Sequence, residues 1–262
     1  MTEWWQAIVL AIVQGVTEFL PVSSSAHLIL PSQILGWSDQ GLLFDVGVHA
    51  GTLLAVVFYF RTTLWRLLTN LLPAGDSDRS EFWALCIATV PVVVAGLTLK
   101  DLVATDARGA LVIASATLIF GLLLGWADRV SRRHDHPRQA ISLRDAFLIG
   151  FAQMFALIPG TSRSGVTITA ALFLGYPAAV ATRFSFLLSI PVILGAAIVM
   201  WASAPNGVVL GASSVVLPAL VASALFAYLT ISLFMGWVAK IGLMPFVIYR
   251  LLLGVVILVW AL

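Results

Sequence analysis

Two short polar segments interrupt long apolar stretches of this chain. The first is QGVTEFLPVSSSAH at residues 14–27 and the second is IPGTSRSGVT at residues 158–167; we call them the first and the second polar break. Glu18, His27 and Arg163 lie in these breaks, with apolar residues on both sides. A charge inside a membrane-spanning stretch costs at least about 2.5–3.5 kcal/mol on insertion scales, and irregular backbone at that depth must be shielded by protein or by a water-filled cavity. The sequence therefore places the functional site at the two breaks.

The composition identifies the environment of these stretches. Hydrophobic residues make up 61% of the chain and charged residues 10%, whereas a soluble domain typically carries about 25% charged residues. We therefore expect a single integral membrane domain over residues 1–262, with no polar segment long enough for a separate soluble domain and no nucleic-acid partner. Cys86 is the only cysteine, which excludes an internal disulfide and a thiolate metal cluster.

The apolar segments predict the number of membrane spans. A spanning helix needs about 20 mostly apolar residues, and six stretches qualify: 41–60, 82–99, 109–128, 180–204, 212–238 and 242–262. Two further regions, 4–34 and 143–175, are interrupted near their middles by the polar breaks. Each half of these regions, with about 10–17 residues, is short for a span and fits one arm of a re-entrant hairpin. The segment 61–72 mixes arginines with leucines and predicts a short helix at the membrane interface.

Basic residues predict the orientation, because cytoplasmic loops carry an excess of them. Arginines cluster in 61–79 and in 129–144, and we interpret Arg183 and Arg250 as anchors on the same side, whereas the 205–214 loop carries no charge. If the six spans cross the membrane in alternating directions from these cytoplasmic loops, both ends of region 4–34 lie on the outer side of the membrane. Both ends of region 143–175 then lie on the cytoplasmic side.

This alternation predicts an all-α polytopic membrane protein with an inverted-topology repeat. Each half is a re-entrant helical hairpin plus three transmembrane helices, with the repeats at about 1–130 and 141–262. The segment FLPVSSS (19–25) aligns with LIPGTSR (157–163) in support of the repeat. Inverted repeats commonly place a polar site near the membrane midplane, where broken helices meet.

The first polar break offers groups for acid–base chemistry. Gln14 and Glu18 are four residues apart and share one face of a helix that a proline ends. The serines at 23–25 can cap the next helix, on which Ser24 and His27 share a face. Glu18 could bind a divalent cation or take up a proton, and His27 could act as acid, base or nucleophile. The alternative is that the serines only cap the helix and that His27 is a core histidine.

The second polar break has the character of an anion site. A helix that begins after Pro159 presents free N–H groups and a partial positive charge. Arg163 adds a guanidinium fork suited to phosphate, and hydroxyl donors come from Thr161, Ser162 and Ser164. The alternative is that Arg163 only pairs with Glu18 and joins the two hairpins. Taken together, the two breaks predict phosphoryl transfer, with a lipid phosphate or diphosphate as the substrate.

These residues resemble a known family. EFLPVSSSAH with the upstream Gln14, together with PGTSRSGVT, is similar to the undecaprenyl-diphosphate phosphatase family, known also for bacitracin resistance, and the segments 44–57, 183–191 and 245–254 extend the resemblance over essentially the whole chain. The resemblance implies a multi-pass enzyme of the bacterial inner membrane that dephosphorylates undecaprenyl diphosphate and recycles the cell-wall lipid carrier. It also implies a divalent cation, Mg²⁺ or Ca²⁺, and a site open toward the outer face. Bilayer lipids are expected partners, and a homodimer is left open.

The family motifs also imply roles for individual residues. The implied catalytic residues are Ser24, His27 and Glu18, and the implied metal ligand is Glu18. The implied substrate-binding residues are Arg163, Ser162, Thr161, Ser164, Ser23, Ser25 and Gln14. Because Gln14 cannot supply a charge, Glu18 alone must carry the acid role. Two nucleophiles remain open at this point, Ser24 with His27 as its base or His27 itself, and we favour Ser24.

Two other interpretations compete with this one. Inverted repeats with broken helices are also transporter architecture, so a polyprenyl-phosphate flippase is the main alternative, with an anion channel as the next. A serine beside a histidine and a glutamate argues for chemistry, because passage alone needs no nucleophile. Asp45 and His49 are four residues apart in the 41–60 stretch, and we interpret them as a structural ion pair near its outer end.

Overall fold

A computed structural model of the chain describes residues 4–37, 40–71, 79–106, 109–133, 138–202 and 214–262. These residues form eleven α-helices and a short 3₁₀ turn, Met154–Leu157, with no β-strand among them. The helices are α1 Trp4–Thr17, α2 Ser24–Ile34, α3 Leu42–Tyr59, α4 Arg61–Thr69, α5 Ser80–Asp106, α6 Ala110–Ser131, α7 Leu143–Gln153, α8 Arg163–Phe173, α9 Ala178–Ala202, α10 Val216–Ile241 and α11 Met244–Ala261. The predicted all-α class is confirmed.

The long helices have the length and apolar character of membrane spans. Within the described residues, five helices qualify: Ser80–Thr98 of α5, and α6, α9, α10 and α11. A sixth is added if α3 and α4, which meet at an angle of 71°, count as one broken span. Each of the six predicted stretches coincides with a helix, and the short helix predicted at 61–72 is α4. The chain is thus a multi-pass membrane protein. Apart from residue 214, the 205–214 loop lies outside the described residues.

The two interrupted regions contain the predicted irregular segments. Residues 18–23 separate α1 from α2, and residues 158–162 separate the 3₁₀ turn after α7 from α8. The paired helices pack against each other, α1 on α2 and α7 on α8. At membrane depth such segments need shielding by protein, and here the long helices surround them: α1 packs on α3 and α10, and α8 packs on α6 and α9.

The closest helix packing fixes the orientation of α3. Gly51 lies so near α10 that a Cβ atom there would stand 2.0 Å from Ser223 Oγ, and one at Gly47 would stand 2.8 Å from a Val216 methyl. Small residues four positions apart let membrane helices approach this closely. At about 100° per residue, His49 is about 200° from both glycines around the helix. The His49 side chain therefore leaves α3 on the face opposite α10.

Candidate active site

An ion pair joins the two polar breaks. Arg163 donates from Nη2 to Glu18 Oε1 over 2.9 Å, and its side chain is 12% exposed against 8% for Glu18. The second terminal nitrogen of Arg163 donates to the Ser185 carbonyl oxygen of α9 over 3.1 Å. The proximity of the two breaks that the sequence suggests is confirmed, and the guanidinium is held between a carboxylate and a backbone carbonyl.

The other Glu18 oxygen gathers two donors from the first break. Ser24 Oγ donates to Glu18 Oε2 over 2.8 Å, and Gln14 Nε2 donates to the same oxygen over 3.0 Å. Gln14 is fully buried, and its own Oε1 has no hydrogen-bond partner among the described residues. The carboxylate thus connects the arginine of the second break with the serine and the amide of the first.

His27 lies apart from this cluster. Its Nδ1 is 2.7 Å from the Ser23 carbonyl oxygen, and its Nε2 is 2.6 Å from the hydroxyl of Tyr249 in α11, whose ring stacks on the imidazole. The contact with Ser24 that the shared helix face suggested is therefore not formed. A shared face brings two residues to one side of a helix, but the partners of the imidazole come from the helix start and from α11.

The hydroxyl groups of the second break are mostly used within the protein. Ser162 caps α8 by accepting from the Gly165 N–H over 3.1 Å, and Ser164 Oγ donates to the Leu20 carbonyl oxygen of the first break over 2.9 Å. Thr161 is fully buried, and its hydroxyl has no partner in the described part of the chain. Ser164 therefore holds the two breaks together rather than facing outward.

Arg250 corrects one interpretation made from the sequence. It is not a cytoplasmic anchor but a fully buried side chain in the middle of α11. Its guanidinium donates to the carbonyl oxygens of Gly160, Thr161, Pro21 and Thr117, over 2.9, 2.9, 3.3 and 3.3 Å. Three of these carbonyls belong to the irregular segments, where backbone groups released from helices need partners. Arg250 therefore fixes both breaks from a third helix.

We expect the substitution Arg250→Lys to lower stability markedly. A single ammonium group cannot reach four carbonyls, and a buried polar group left unpaired costs about 1–3 kcal/mol. The midpoint of thermal unfolding in detergent should fall well below that of Arg183→Lys, a matched change at an arginine that pairs with Glu81 near one end of α9. Equal midpoints for the two variants would contradict this role for Arg250.

A cavity of about 250 Å³ opens at the ion pair. Its polar end is formed by Glu18, Ser23, Ser24, Ser25, Ser162, Arg163 and His49. The rest of its wall is apolar and comes from α3, α5, α9 and the 3₁₀ turn: Val46, Val92, Ala156, Leu157, Val192, Ile193, Ala196, Ala197 and Met200. A cavity with one charged end and long apolar walls suits an amphiphile with an anionic head. His27, Thr161 and Ser164 do not line it.

His49 is in contact with Asp45, but through the main chain. Its Nδ1 is 2.7 Å from the backbone carbonyl oxygen of Asp45, one helical turn earlier. A second cavity of about 400 Å³ is lined by Asp45 and His49, and it shares Ser24, Ser25 and His49 with the first. The histidine that the sequence suggested as a structural residue is therefore the one on the wall of the site. Sequence reasoning also missed Tyr249 and Ser185 as partners of site residues.

The metal-binding groups near the ion pair of Glu18 and Arg163 are oxygen atoms, which suit a hard cation. Among the described residues, no group of three or more histidine, cysteine, aspartate or glutamate side chains could hold a metal ion. What is present is the Glu18 carboxylate and the unpaired Gln14 Oε1, which belongs to the amide whose nitrogen donates to Glu18. Oxygen ligands of this kind are those of Mg²⁺ and Ca²⁺, and Mg²⁺ is commonly held by one or two carboxylates together with substrate phosphates.

Comparisons with known proteins show the family of this chain. The family model described as "Bacitracin resistance protein BacA" matches residues 7–256. A protein of Chromohalobacter salexigens named undecaprenyl-diphosphatase is 51% identical, covering 98% of this chain and 99% of the relative. A protein of Hahella chejuensis with the same name is 50% identical, covering 98% of both chains. Since the match extends over nearly the whole length in each comparison, the chain belongs to the bacitracin resistance protein BacA family.

Proposed function

We propose that this protein hydrolyses undecaprenyl diphosphate to undecaprenyl phosphate and inorganic phosphate in the bacterial inner membrane. The reaction recycles the lipid carrier of cell-wall polymers and confers resistance to bacitracin. The observation that carries the proposal is the amphiphilic cavity, with Glu18, Ser24 and Arg163 at its charged end. A flippase is not favoured, because transport would not require a serine hydroxyl bonded to a buried carboxylate.

The cavity binds both parts of the substrate, the charged diphosphate and the apolar isoprenoid chain. The diphosphate occupies the polar end of the cavity, where Arg163 and the N-terminus of α8 supply positive charge. The first isoprene units follow the apolar wall between α5 and α9, formed by Val92, Val192 and Ile193. An apolar tail held in this way positions the terminal phosphate at Ser24.

Ser24 is the nucleophile in this mechanism, and Glu18 is its base. The Ser24 Oγ forms a bond to the terminal phosphorus, the bridging P–O bond breaks, and undecaprenyl phosphate leaves. The Ser24 proton passes to the carboxylate that already accepts it in a hydrogen bond of 2.8 Å. The incoming diphosphate competes with Glu18 for the Arg163 guanidinium, so that substrate binding frees the carboxylate to accept a proton.

His27 is a positioning residue in this mechanism. Both of its nitrogens are occupied, by Ser23 and Tyr249, and it does not line the cavity. Its bond to the Ser23 carbonyl holds the turn that presents Ser24. This arrangement also argues against His27 as the nucleophile.

Glu18 and Gln14 Oε1 would hold a divalent cation at this site. When bound, such a cation neutralises phosphate charge and so favours departure of the lipid phosphate. The unpaired, fully buried Gln14 Oε1 supports this assignment, because a buried acceptor without a partner is costly.

An inverted-topology repeat underlies this site. The helices that follow the two breaks, α2 and α8, are both 11 residues long. Each is preceded by a serine with positive φ, 74° at Ser23 and 71° at Ser162, and each is followed by a Leu-Gly pair whose glycine also has positive φ. This structural alignment is shifted by one residue from the sequence alignment of FLPVSSS with LIPGTSR. It makes Ser24 and Arg163 equivalent, so each half contributes one reactive group. The helix contacts support the repeat as well. In it α1 corresponds to α7 and α10 corresponds to α5, and α1 packs on α10 just as α7 packs on α5.

The repeat requires opposite exposure of two loops. In a Cys86→Ser background, which removes the only cysteine, an impermeant maleimide should label Asn206→Cys in intact cells. It should label Arg133→Cys, an exposed position after α6, only after the membrane is opened. The reverse pattern would reject both the inverted repeat and a site that opens toward the outer face.

The function itself is tested by phosphate release. The purified protein in detergent should release phosphate from undecaprenyl diphosphate, and a chelator should reduce the rate until Mg²⁺ or Ca²⁺ is restored. Absence of phosphate release with either cation would reject the proposed hydrolase. Transport of undecaprenyl phosphate by the same preparation in vesicles would then favour the flippase.

A further inference from the structure

His49 occupies the boundary between two cavities. The catalytic cavity of about 250 Å³ and its neighbour of about 400 Å³ share three lining residues, Ser24, Ser25 and His49. Two of them are serines of the first polar break, and the third is an imidazole from a different helix, α3. His49 thus lines both cavities together with Ser24, the proposed nucleophile.

The imidazole is fixed so that one nitrogen remains available. Nδ1 lies 2.7 Å from the Asp45 carbonyl oxygen, which can only accept, so this nitrogen carries the proton in the neutral ring. Nε2 then presents a lone pair, and it has no hydrogen-bond partner in the part of the chain that the structure describes. Since the side chain leaves α3 opposite the face that packs on α10, this nitrogen is directed toward the cavities.

The other basic groups at the site are already engaged. His27 bonds through both nitrogens and does not line either cavity. Glu18 accepts from Gln14, Ser24 and Arg163, and neither Glu18 nor Gln14 is a hydrogen-bond partner of His49. In addition, the first half-reaction leaves Glu18 protonated, so it cannot serve as base for the second.

The neighbouring cavity can supply the water for hydrolysis. Besides the shared residues, it is lined by polar side chains, Ser32, Gln33, Gln40 and Asp45. They come from the end of α2, the start of α3 and the segment between them. The apolar wall that would hold the isoprene units belongs to the other cavity, so water has a route to the site that does not pass along that wall.

We propose that His49 is a catalytic general base for the second half-reaction, the hydrolysis of phosphorylated Ser24. This inference rests on the proposed function. A water oxygen from the neighbouring cavity forms a bond to phosphorus and gives one proton to His49 Nε2. The bond between phosphorus and Ser24 Oγ breaks, and Ser24 Oγ regains its proton from Glu18. Inorganic phosphate leaves, and His49 returns its proton to water in the polar cavity.

The test uses His49→Asn, because an asparagine amide can keep the hydrogen bond to the Asp45 carbonyl but is not a base. With saturating undecaprenyl diphosphate and the divalent cation present, kcat should fall by about 10²–10⁴-fold. KM should fall with it and kcat/KM should stay near the wild-type value, because only the step after formation of phosphorylated Ser24 is slowed. When the terminal phosphate of undecaprenyl diphosphate is radiolabelled, the variant should accumulate label on Ser24, and one equivalent of undecaprenyl phosphate should appear in a rapid first turnover. His49→Gln provides a second non-basic variant if the asparagine variant does not fold.

The control is Thr62→Ala, an exposed position in α4 that lines neither cavity, which should keep wild-type turnover without trapped label. Wild-type kcat in both His49 variants would overturn the proposal. Slow turnover without phosphorylated Ser24 would also overturn it, because His49 would then act elsewhere. If wild-type protein itself releases no phosphate, the proposed function fails, and that result is separate from any effect at His49.

Discussion

A Ser24→Ala variant is expected to lose turnover by about 10³-fold or more, because removal of a nucleophile cannot be compensated by its neighbours. Within the described residues, the Ser24 side chain makes one hydrogen bond, to Glu18, and it is not buried in the core. The variant should therefore fold, and it should still bind undecaprenyl diphosphate. Phosphate release under saturating substrate measures the loss, and thermal unfolding in detergent verifies the fold.

Two comparisons separate the nucleophile from its surroundings. Ile34→Ala, an exposed position on the same helix that lines neither cavity, should keep wild-type turnover. His27→Ala should retain measurable activity, since His27 only holds the turn that carries Ser24. The reverse ranking, with His27→Ala inactive and Ser24→Ala partly active, would make His27 the nucleophile. Equal and mild losses in both variants would reject both assignments and favour direct attack of water on a cation-bound diphosphate.

The helices were predictable because the membrane imposes simple requirements on the sequence. A span needs a certain length of apolar residues, and a break in a span needs polar residues and shielding. Both requirements are local, so the six stretches, the short helix α4 and the two breaks all correspond to observed elements. The contact between the breaks followed from charge alone, since a buried Glu18 and a buried Arg163 each need an opposite partner.

Partners distant in sequence were not predictable. His27 bonds to Tyr249 across 222 residues, and Arg250 bonds to Pro21 across 229. Which hydroxyl or carbonyl a side chain meets depends on how α11 packs, and no local pattern encodes that. Arg250 did carry a usable signal, because a charge in the middle of an apolar helix is costly unless it has a function. Counting it among cytoplasmic anchors concealed that signal.

The role of His49 was hidden for a different reason. A histidine four residues after an aspartate suggests an ion pair on one helix face. In the structure the imidazole instead bonds to the Asp45 carbonyl. The direction of the His49 side chain follows from Gly47 and Gly51, which pack against α10 and so place His49 on the face of α3 away from that helix. The glycine spacing was visible in the sequence, but its partner helix was not.

The second large effect is expected for Arg163→Lys, which should reduce kcat/KM by about 10²-fold or more. Lysine keeps the positive charge and can still pair with Glu18, but it replaces a planar fork by a point charge. A single ammonium group cannot reproduce the contacts of the guanidinium with both the Ser185 carbonyl oxygen and the phosphate oxygens. Removal of one donor to developing charge commonly costs about 10²–10³-fold. Phosphate release at several substrate concentrations measures the loss.

The matched control for this change is Arg183→Lys, since Arg183 also joins a carboxylate, Glu81, but lines a different cavity. Its activity should remain near that of the wild type. If Arg163 served only to hold the breaks together, Arg163→Lys would lower the midpoint of thermal unfolding while kcat/KM stayed unchanged, because a lysine–glutamate pair would replace the original one. That outcome would remove Arg163 from the substrate site, whereas loss of activity at an unchanged unfolding midpoint places the guanidinium on the diphosphate.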